Sequence, residues 1–454
     1  MSKTKECSSP EDEYLGVGKS FAYGLQHVLT MYGGIVAPPL IVGSAVGLNA
    51  AQIGMLITAS LFVGGLATLL QTIGIKWFGV KLPLVQGVSF AGVATMIAIG
   101  TSGGGFQAIL GAVFASAIIG LIIAPFFARI VRFFPPIVTG CVITIIGLSL
   151  LPVALRWVMG GNNKAPDWGS LANLGLAAIT LFILLILSKF GSVAIRRLAV
   201  LSSIVLGTVV AYALGFCDFS KVTTGHWMAF PSILEFGMPT FEIPAIIAMC
   251  IVMIVTLTET TADILAVSEI VGTGADQKRI ANGLRADMLS SAIAPFFGTF
   301  MQSAFAQNVG LVAITGVKSR FVVAAGGVIL VLLGLLPIMG RFVAAIPTPV
   351  LGGAGLVLFG TVAASGIRTL AQVDFREQKN LIIVAVAISA GMIPMISSDF
   401  FMHFPKWVQT LFHSGISTTC IVAVSLNIFF NHLAVGKASK QDAVMPDKAA
   451  PSAH

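Results

Sequence analysis

The chain has 454 residues, of which 56% are hydrophobic and only 10% charged, with a mean hydropathy of +0.97. Soluble domains carry roughly 25% charged residues, so a water-soluble globule is excluded. The formal net charge of +8 and the pI near 9.4 then call for an explanation that suits a membrane protein.

Apolar runs of roughly 17 to 25 residues recur along the chain, the length a helix needs to cross about 30 Å of hydrocarbon. They do not alternate apolar and polar in segments of about 10 residues, which excludes an outer-membrane barrel. The polar segment 1–17 lacks the basic, apolar, small-residue order of a cleavable signal and is expected to be a cytoplasmic tail. Spans are predicted at 18–38, 52–74, 82–100, 106–126, 134–155, 171–188 and 198–216, then at 243–265, 280–298, 301–315, 321–339, 347–366, 380–397 and 410–430. The expected fold class is therefore an all-α polytopic membrane protein of fourteen transmembrane spans over residues 18–430. The tail 431–454, rich in Lys, Ala, Asp and Pro, is expected to be disordered and cytoplasmic.

Span one contains His27 within Gln26-His27-Val28-Leu29-Thr30. Span three is short and holds Pro83, Gln86 and Ser89, so it is expected to be broken; the run Gly103-Gly104-Gly105 after it follows no strand and reads as a turn. Span eight carries Glu259 and Asp263, four residues apart and hence on one helix face, where both can bind or release a proton. Span nine adds Arg285 and Asp287, and the short span ten holds Gln302, Gln307, Asn308 and Gly310. A charge at the bilayer centre costs about 2.5 to 3.5 kcal/mol on insertion scales, so these groups are expected to face a cavity or each other.

The two halves repeat. Pro136, Val138, Gly140 and Gly147 in span five match Pro349, Leu351, Gly353 and Gly360 in span twelve at the same spacing, each set following an Arg-Phe pair, Arg132-Phe133 and Arg341-Phe342. Gln86-Gly87-Val88 in span three is set against Gln307-Asn308-Val309 in span ten. Seven spans per copy is an odd number, so the second copy enters from the opposite side: a seven-plus-seven inverted repeat, the arrangement that places a transport site at the midplane between discontinuous helices. Loops after even-numbered spans hold fourteen of the Lys and Arg residues and loops after odd-numbered spans five. The positive-inside bias thus puts both termini in the cytoplasm and accounts for the basic charge without nucleic acid.

Gln307-Asn308-Val309-Gly310, followed after four residues by Thr315-Gly316, resembles the signature of the nucleobase–ascorbate transporter family. That signature runs Gln, Glu or Pro, then Asn, any residue, Gly, four residues, Thr, and a final Arg, Lys or Gly. With Gln26-His27, Glu259, Asp263 and Asp287, the resemblance covers about residues 18–430 and is strongest to the family's bacterial xanthine and uric acid permeases, which are proton-coupled and lie in the inner membrane. It implies that Glu259 and Gln307 bind substrate, that Ala306 and Phe90 supply backbone and aromatic contacts, and that Asp263 and Asp287 are essential carboxylates. His27 matches the span-one histidine; Asn308 and Gly310 match positions that shape the site; Thr315 and Gly316 complete the motif. It also implies a core of spans one to four and eight to eleven (about 18–126 and 243–339), a gate of spans five to seven and twelve to fourteen (about 134–216 and 347–430), a homodimer, and an elevator-like mechanism. Expected partners are a purine base, a proton and membrane lipid, with no cofactor.

Gln307 at the first motif position argues, by the same resemblance, against a uracil specialist and against an ascorbate carrier. Ser89 stands where related xanthine permeases often carry Asn, and its smaller side chain leaves room for the C8 oxygen of uric acid; the expectation is dual use of urate and xanthine with a lean toward urate. An anion permease is the rival reading, opposed by a carboxylate at the midplane. Enzyme chemistry finds no foothold: there is no His-Glu-x-x-His metal motif, and Gly18-Lys19-Ser20 lacks the earlier glycine of a P-loop because position 13 is Glu. Cys7, Cys141, Cys217, Cys250 and Cys420 show no metal-type spacing and read as small hydrophobes.

Overall fold

The computed structural model describes residues 9–127, 134–217, 219–220, 222, 226–405, 408–409, 412 and 414–432. Cys7, the Arg132-Phe133 pair of the repeat, Arg129, Lys221, Lys406 and the tail from 433 lie outside the described residues. The first half builds α1 (Val17–Ala45), α2 (Ala50–Ile73), strand β1 (Gln86–Val88), α3 (Val93–Ile99), α4 (Gly105–Ile123), α5 (Pro136–Val158), α6 (Leu171–Phe190), α7 (Val193–Arg197) and α8 (Ala199–Ala213). The second builds α9 (Ile243–Val271), α10 (Gln277–Ile293), β2 (Gln302–Ala304), α11 (Ala306–Thr315), α12 (Arg320–Gly334), α13 (Pro337–Ala344), α14 (Thr348–Leu370), α15 (Gln378–Ile396) and α16 (Gly415–Asn427). Among the described residues, eight helices are long and apolar enough to cross a membrane, or nine if the bent pair α12–α13 counts as one span. The protein is an integral membrane protein.

Local chemistry sets the helix ends. Asn49 and Gln52 exchange side-chain and backbone hydrogen bonds at 3.0 Å, a capping box that starts α2. The Asp276 carboxylate accepts the Arg279 N–H at 2.7 Å and starts α10, while Gly272, in the left-handed region at φ +86°, stops α9.

Several predicted boundaries change. Span three is not a helix from 82 to 100: residues 86–88 form β1, and helical turns begin only at Phe90. Span ten likewise opens with β2 before the ten-residue α11. The strands pair antiparallel, Gln86 opposite Ala304, Gly87 opposite Ser303 and Val88 opposite Gln302. Their local two-fold therefore matches Gln86-Gly87-Val88 to Gln302-Ser303-Ala304, correcting the match to 307–309. The polar anchors obey the same exchange: Thr68 Oγ1 accepts the Gln86 N–H at 3.0 Å, and Ser291 Oγ accepts the Gln302 N–H at 2.9 Å. Span eleven ends at Gly334 instead of 339, because Pro337 cannot continue the helix and opens α13 at 77° to α12. The glycine run after α3 is the expected turn, with Gly103 at φ +107°.

Small residues let the long helices approach closely, as membrane helices require where lipid supplies no hydrophobic drive. A side chain on Gly65 of α2 would meet the Val331 backbone N of α12 at 2.6 Å, and one on Gly24 of α1 would meet Gly326 N at 2.7 Å. Gly147 and Gly366 let α5 and α14 press backbone to backbone in the same way. The end of the segment expected to be a cytoplasmic tail is docked: Glu11 pairs with Arg279 at 2.8 Å and Asp12 with Arg320 at 2.6 Å, while Arg320 also donates to the carbonyls of Thr72 and Ile73 at the end of α2.

Candidate functional site

The strand pair organises the site. Each strand runs straight into a short helix, so the N-terminal ends of the turn at Phe90 and of α11 both start from the crossing. Those ends carry backbone N–H groups without intrahelical partners and the positive pole of the helix dipole. Phe305 is wedged beneath them: side chains on Gly34 or Gly87 would collide with its ring at 2.7 Å. Two glycines thus admit the phenyl group that fixes where α11 begins.

The motif residues divide by role. Ala306, Gln307 and Gly310 are exposed, and Gln307 and Gly310 line a cavity of about 240 Å³ with Thr30, Gly33, Gly34, Val200, Leu201, Leu358 and Thr361. A side chain on Gly310 would meet nothing within 4 Å, so this position opens the cavity. Asn308 points the other way. It is fully buried, and its Nδ2 donates to the His27 carbonyl at 3.0 Å and to His27 Nδ1 at 3.1 Å, which places the ring proton on Nε2 and ties α1 to α11. Thr315 accepts the Val317 N–H, and Gly316, at φ +68°, ends α11.

Ser89, expected to leave room for the base, and Asn308, expected to shape the site, are both buried. Ser89 is the N-cap of the Phe90 turn: its Oγ accepts the Ala91 N–H at 3.2 Å, and its own N–H donates to the Met301 carbonyl at 2.9 Å. Phe90 stays half-buried, edge-on to Phe359 of α14 at 6.1 Å, and Phe359 leans on Trp157 of α5 at 6.3 Å. This row of rings crosses from the strand pair to the neighbouring helices.

The carboxylates differ in surroundings. Glu259 and Asp263, half-buried on α9, make no hydrogen bond or ion pair with any described residue. Neither Glu259 nor Phe90 lines the 240 Å³ cavity. The next residue, Thr260, accepts the Ala304 N–H at 3.3 Å, so α9 is fastened to the end of β2 beside Glu259. Asp287 on α10 is fully buried; Gln71 Nε2 donates to its Oδ1 and Thr260 Oγ1 to its Oδ2, both at 2.6 Å. Arg285, two residues earlier, turns away to Asn282 at 2.9 Å. Sequence reasoning missed Gln71 and Thr260, whose only signal was polarity inside apolar runs, and marked Gln86 and Gln302 only as polar residues of the broken spans. Among the described residues no His, Cys, Asp and Glu cluster has metal-binding geometry.

Comparison with known proteins agrees with this architecture. A profile described as "Permease family" matches residues 18–400. The uric acid transporter UacT of Escherichia coli is 42% identical over 92% of this chain and 88% of its own. The uric acid permease PucK of Bacillus subtilis is 42% identical over 90% and 94%, and the xanthine permease of the same organism 39% identical over 95% and 98%. Among solved structures, the transmembrane domain of the cyanobacterial bicarbonate transporter BicA superposes with a TM-score of 0.58 at 13% identity, covering 91% of this chain and 98% of that one. SLC26A9 gives a TM-score of 0.62 at 13% identity over 91% and 66%. At such identities the likeness concerns the fold alone.

Proposed function

Because the chain belongs to the permease family that includes the xanthine and uric acid permeases, the nucleobase–ascorbate transporters, we propose that it carries oxidised purine bases, uric acid and xanthine, inward across the inner membrane with protons. The observation that carries this reading is the strand crossing, which aims two helix N-termini at one spot and leaves Ala306 and Gln307 open beside α9. An oxidised purine shows ring N–H donors and carbonyl acceptors in one plane. A carboxylate such as Glu259 accepts from the N–H groups, the Gln307 amide both donates and accepts, and Phe90 stacks on the ring. The free N–H groups and positive dipole ends suit an electron-rich base or its anion.

Proton coupling requires a group whose charge changes through the cycle, and Glu259 or Asp263, half-buried and bonded to no described residue, is the group assigned to it. Counting β1–α3 and β2–α11 as one span each, joining α13 to α12 and setting aside the five-residue α7, gives the fourteen spans of a seven-plus-seven inverted repeat, with cytoplasmic termini. In this reading the core, spans one to four and eight to eleven, moves against the gate in an elevator-like cycle, and the protein is a homodimer. The fold neighbours BicA and SLC26A9 are reason to weigh an anion permease; a carboxylate beside the site opposes it, because it repels an anion unless protonated.

The test is uptake of radiolabelled xanthine and uric acid by cells lacking their own purine permeases, with and without a protonophore, and with uracil and sulfate as competitors. Protonophore-sensitive purine uptake that sulfate leaves unchanged is the expected outcome. Movement of uracil or sulfate in place of either purine refutes the reading.

A further inference from the structure

Behind the strand crossing lies a polar layer that the transport site does not use. Gln86, Val88, Gln302 and Ala304 project from one face of the strand pair, since antiparallel partners share a face and alternate residues repeat it. Asp287 joins this layer through Thr260, which bonds both its carboxylate and the Ala304 N–H.

The hydrogen-bond polarity in this layer is fixed. Gln71 Oε1 accepts the Val80 N–H at 2.9 Å, so its Nε2 faces the other way and spends its two hydrogens on the Gly283 carbonyl at 2.8 Å and on Asp287 Oδ1 at 2.6 Å. Thr260 has a single hydrogen, and it goes to Asp287 Oδ2 while the oxygen accepts the Ala304 N–H. With Asp287 ionised, both carboxylate oxygens accept from neutral donors, with no cation bonded among the described residues; a carboxyl protonated on Oδ2 would donate to Thr260 across the same 2.6 Å.

We propose that Thr260 is a donor–acceptor switch that transmits the protonation of Asp287 to the end of β2 and so to the start of α11, with Gln71 as the positioning residue that directs the proton to Oδ2. The inference rests on the transport reading above. A proton arriving at Oδ1 meets the Gln71 N–H, which cannot turn away without abandoning Val80 and Gly283. A proton on Oδ2 makes Asp287 the donor there, and Thr260 must rotate its own hydrogen to a backbone carbonyl one helical turn earlier, as Thr258 and Thr261 already do at 2.8 and 2.7 Å. The Thr260 oxygen then accepts from both Asp287 and the Ala304 N–H, one on each lone pair, and without its own donation to a carboxylate it holds the Ala304 N–H less strongly, two residues before α11 begins. The ionisable groups around Asp287 are few: Asp263 acts on it electrostatically from α9, Glu259 lies one turn away on that helix, and Arg285 shares α10. α2, α4 and the strands contribute none.

The test uses the full-length protein in proteoliposomes with two readouts. Hydrogen–deuterium exchange of residues 302–308 needs no substrate, and the pH profile of xanthine and urate uptake needs transport. Thr260→Val should speed exchange in 302–308 at least about fivefold and move the pH midpoint by about one unit or more, while Thr260→Ser keeps both at wild-type values. Gln71→Met, which leaves Thr260 in place, should move the uptake midpoint and, in step with it, the pH at which exchange in 302–308 changes, and it stands as the test if Thr260→Val does not fold. Unchanged exchange and midpoint in Thr260→Val, a Thr260→Ser protein as altered as Thr260→Val, or an unmoved midpoint in Gln71→Met overturns the switch. A wild-type protein that carries neither purine overturns the transport reading instead, and the exchange measurement still decides the switch.

Discussion

The carboxylates of α9 and the carboxylate of α10 occupy opposite environments within one polytopic bundle. Glu259 and Asp263 are half-buried and bonded to no described residue, whereas Asp287 is sealed and held by two hydrogen bonds of 2.6 Å. Glu259 and Asp263 sit in the apolar α9 and Asp287 is fully buried in the more polar α10, and each is costly on its own. The difference teaches that cost is met in two ways: by open space in which a substrate or proton completes the group, or by protein donors that complete it permanently. The first kind of site is free to do chemistry with a ligand, and the second can act only through the groups that hold it.

Three substitutions put this contrast at risk. Glu259→Gln removes the charge that meets substrate and proton, and purine accumulation against a gradient should fall to background; retained protonophore-sensitive accumulation would take Glu259 out of the coupling role. Asp287→Asn is a smaller change, because the amide accepts from Gln71 with its oxygen and donates to Thr260 with its nitrogen, imitating a carboxyl protonated on Oδ2. Uptake should drop about ten- to a hundredfold, since a hydrogen bond to a charged group contributes about 1.5–3 kcal/mol, and its pH midpoint should shift, with Glu259 and Asp263 left to titrate. A wild-type pH profile in this variant would mean the sealed carboxylate does not titrate in the cycle. Ser89→Asn should act least. Asparagine also caps a helix start, so total uptake should stay within about twofold while the urate-to-xanthine ratio shifts toward xanthine through the position of Phe90. An unchanged ratio removes Ser89 from substrate selection.

Much of the site was legible because its residues break a local rule. Glu259, Asp263, Asp287 and His27 stand out as ionisable groups in hydrocarbon-length runs, and Gln307, Asn308 and Gly310 stand out in a span too short and polar to be ordinary. The strands were not legible: three residues are too few for a period-two pattern, and β1 and β2 lie over two hundred positions apart. The same separation hid the Asp287 network, whose Gln71 contact joins residues 216 positions apart. The docking of Glu11 and Asp12 was hidden as well, since a short polar stretch reads as a tail until its arginine partners are placed.

The amino-acid order by itself determined that this chain lives in a membrane, where its spans fail, and which residues carry charge into them, because composition and run length act locally along the chain. Only the tertiary structure decided which of those charges is satisfied. Burial and hydrogen-bond partners are supplied by distant segments: Asn308 spends its amide on His27, Ser89 donates its N–H to Met301, and Gln86 is set opposite Ala304 in strands that exist only as a pair. Register and polarity of that kind are fixed when two halves of the chain meet, and neither half encodes them alone.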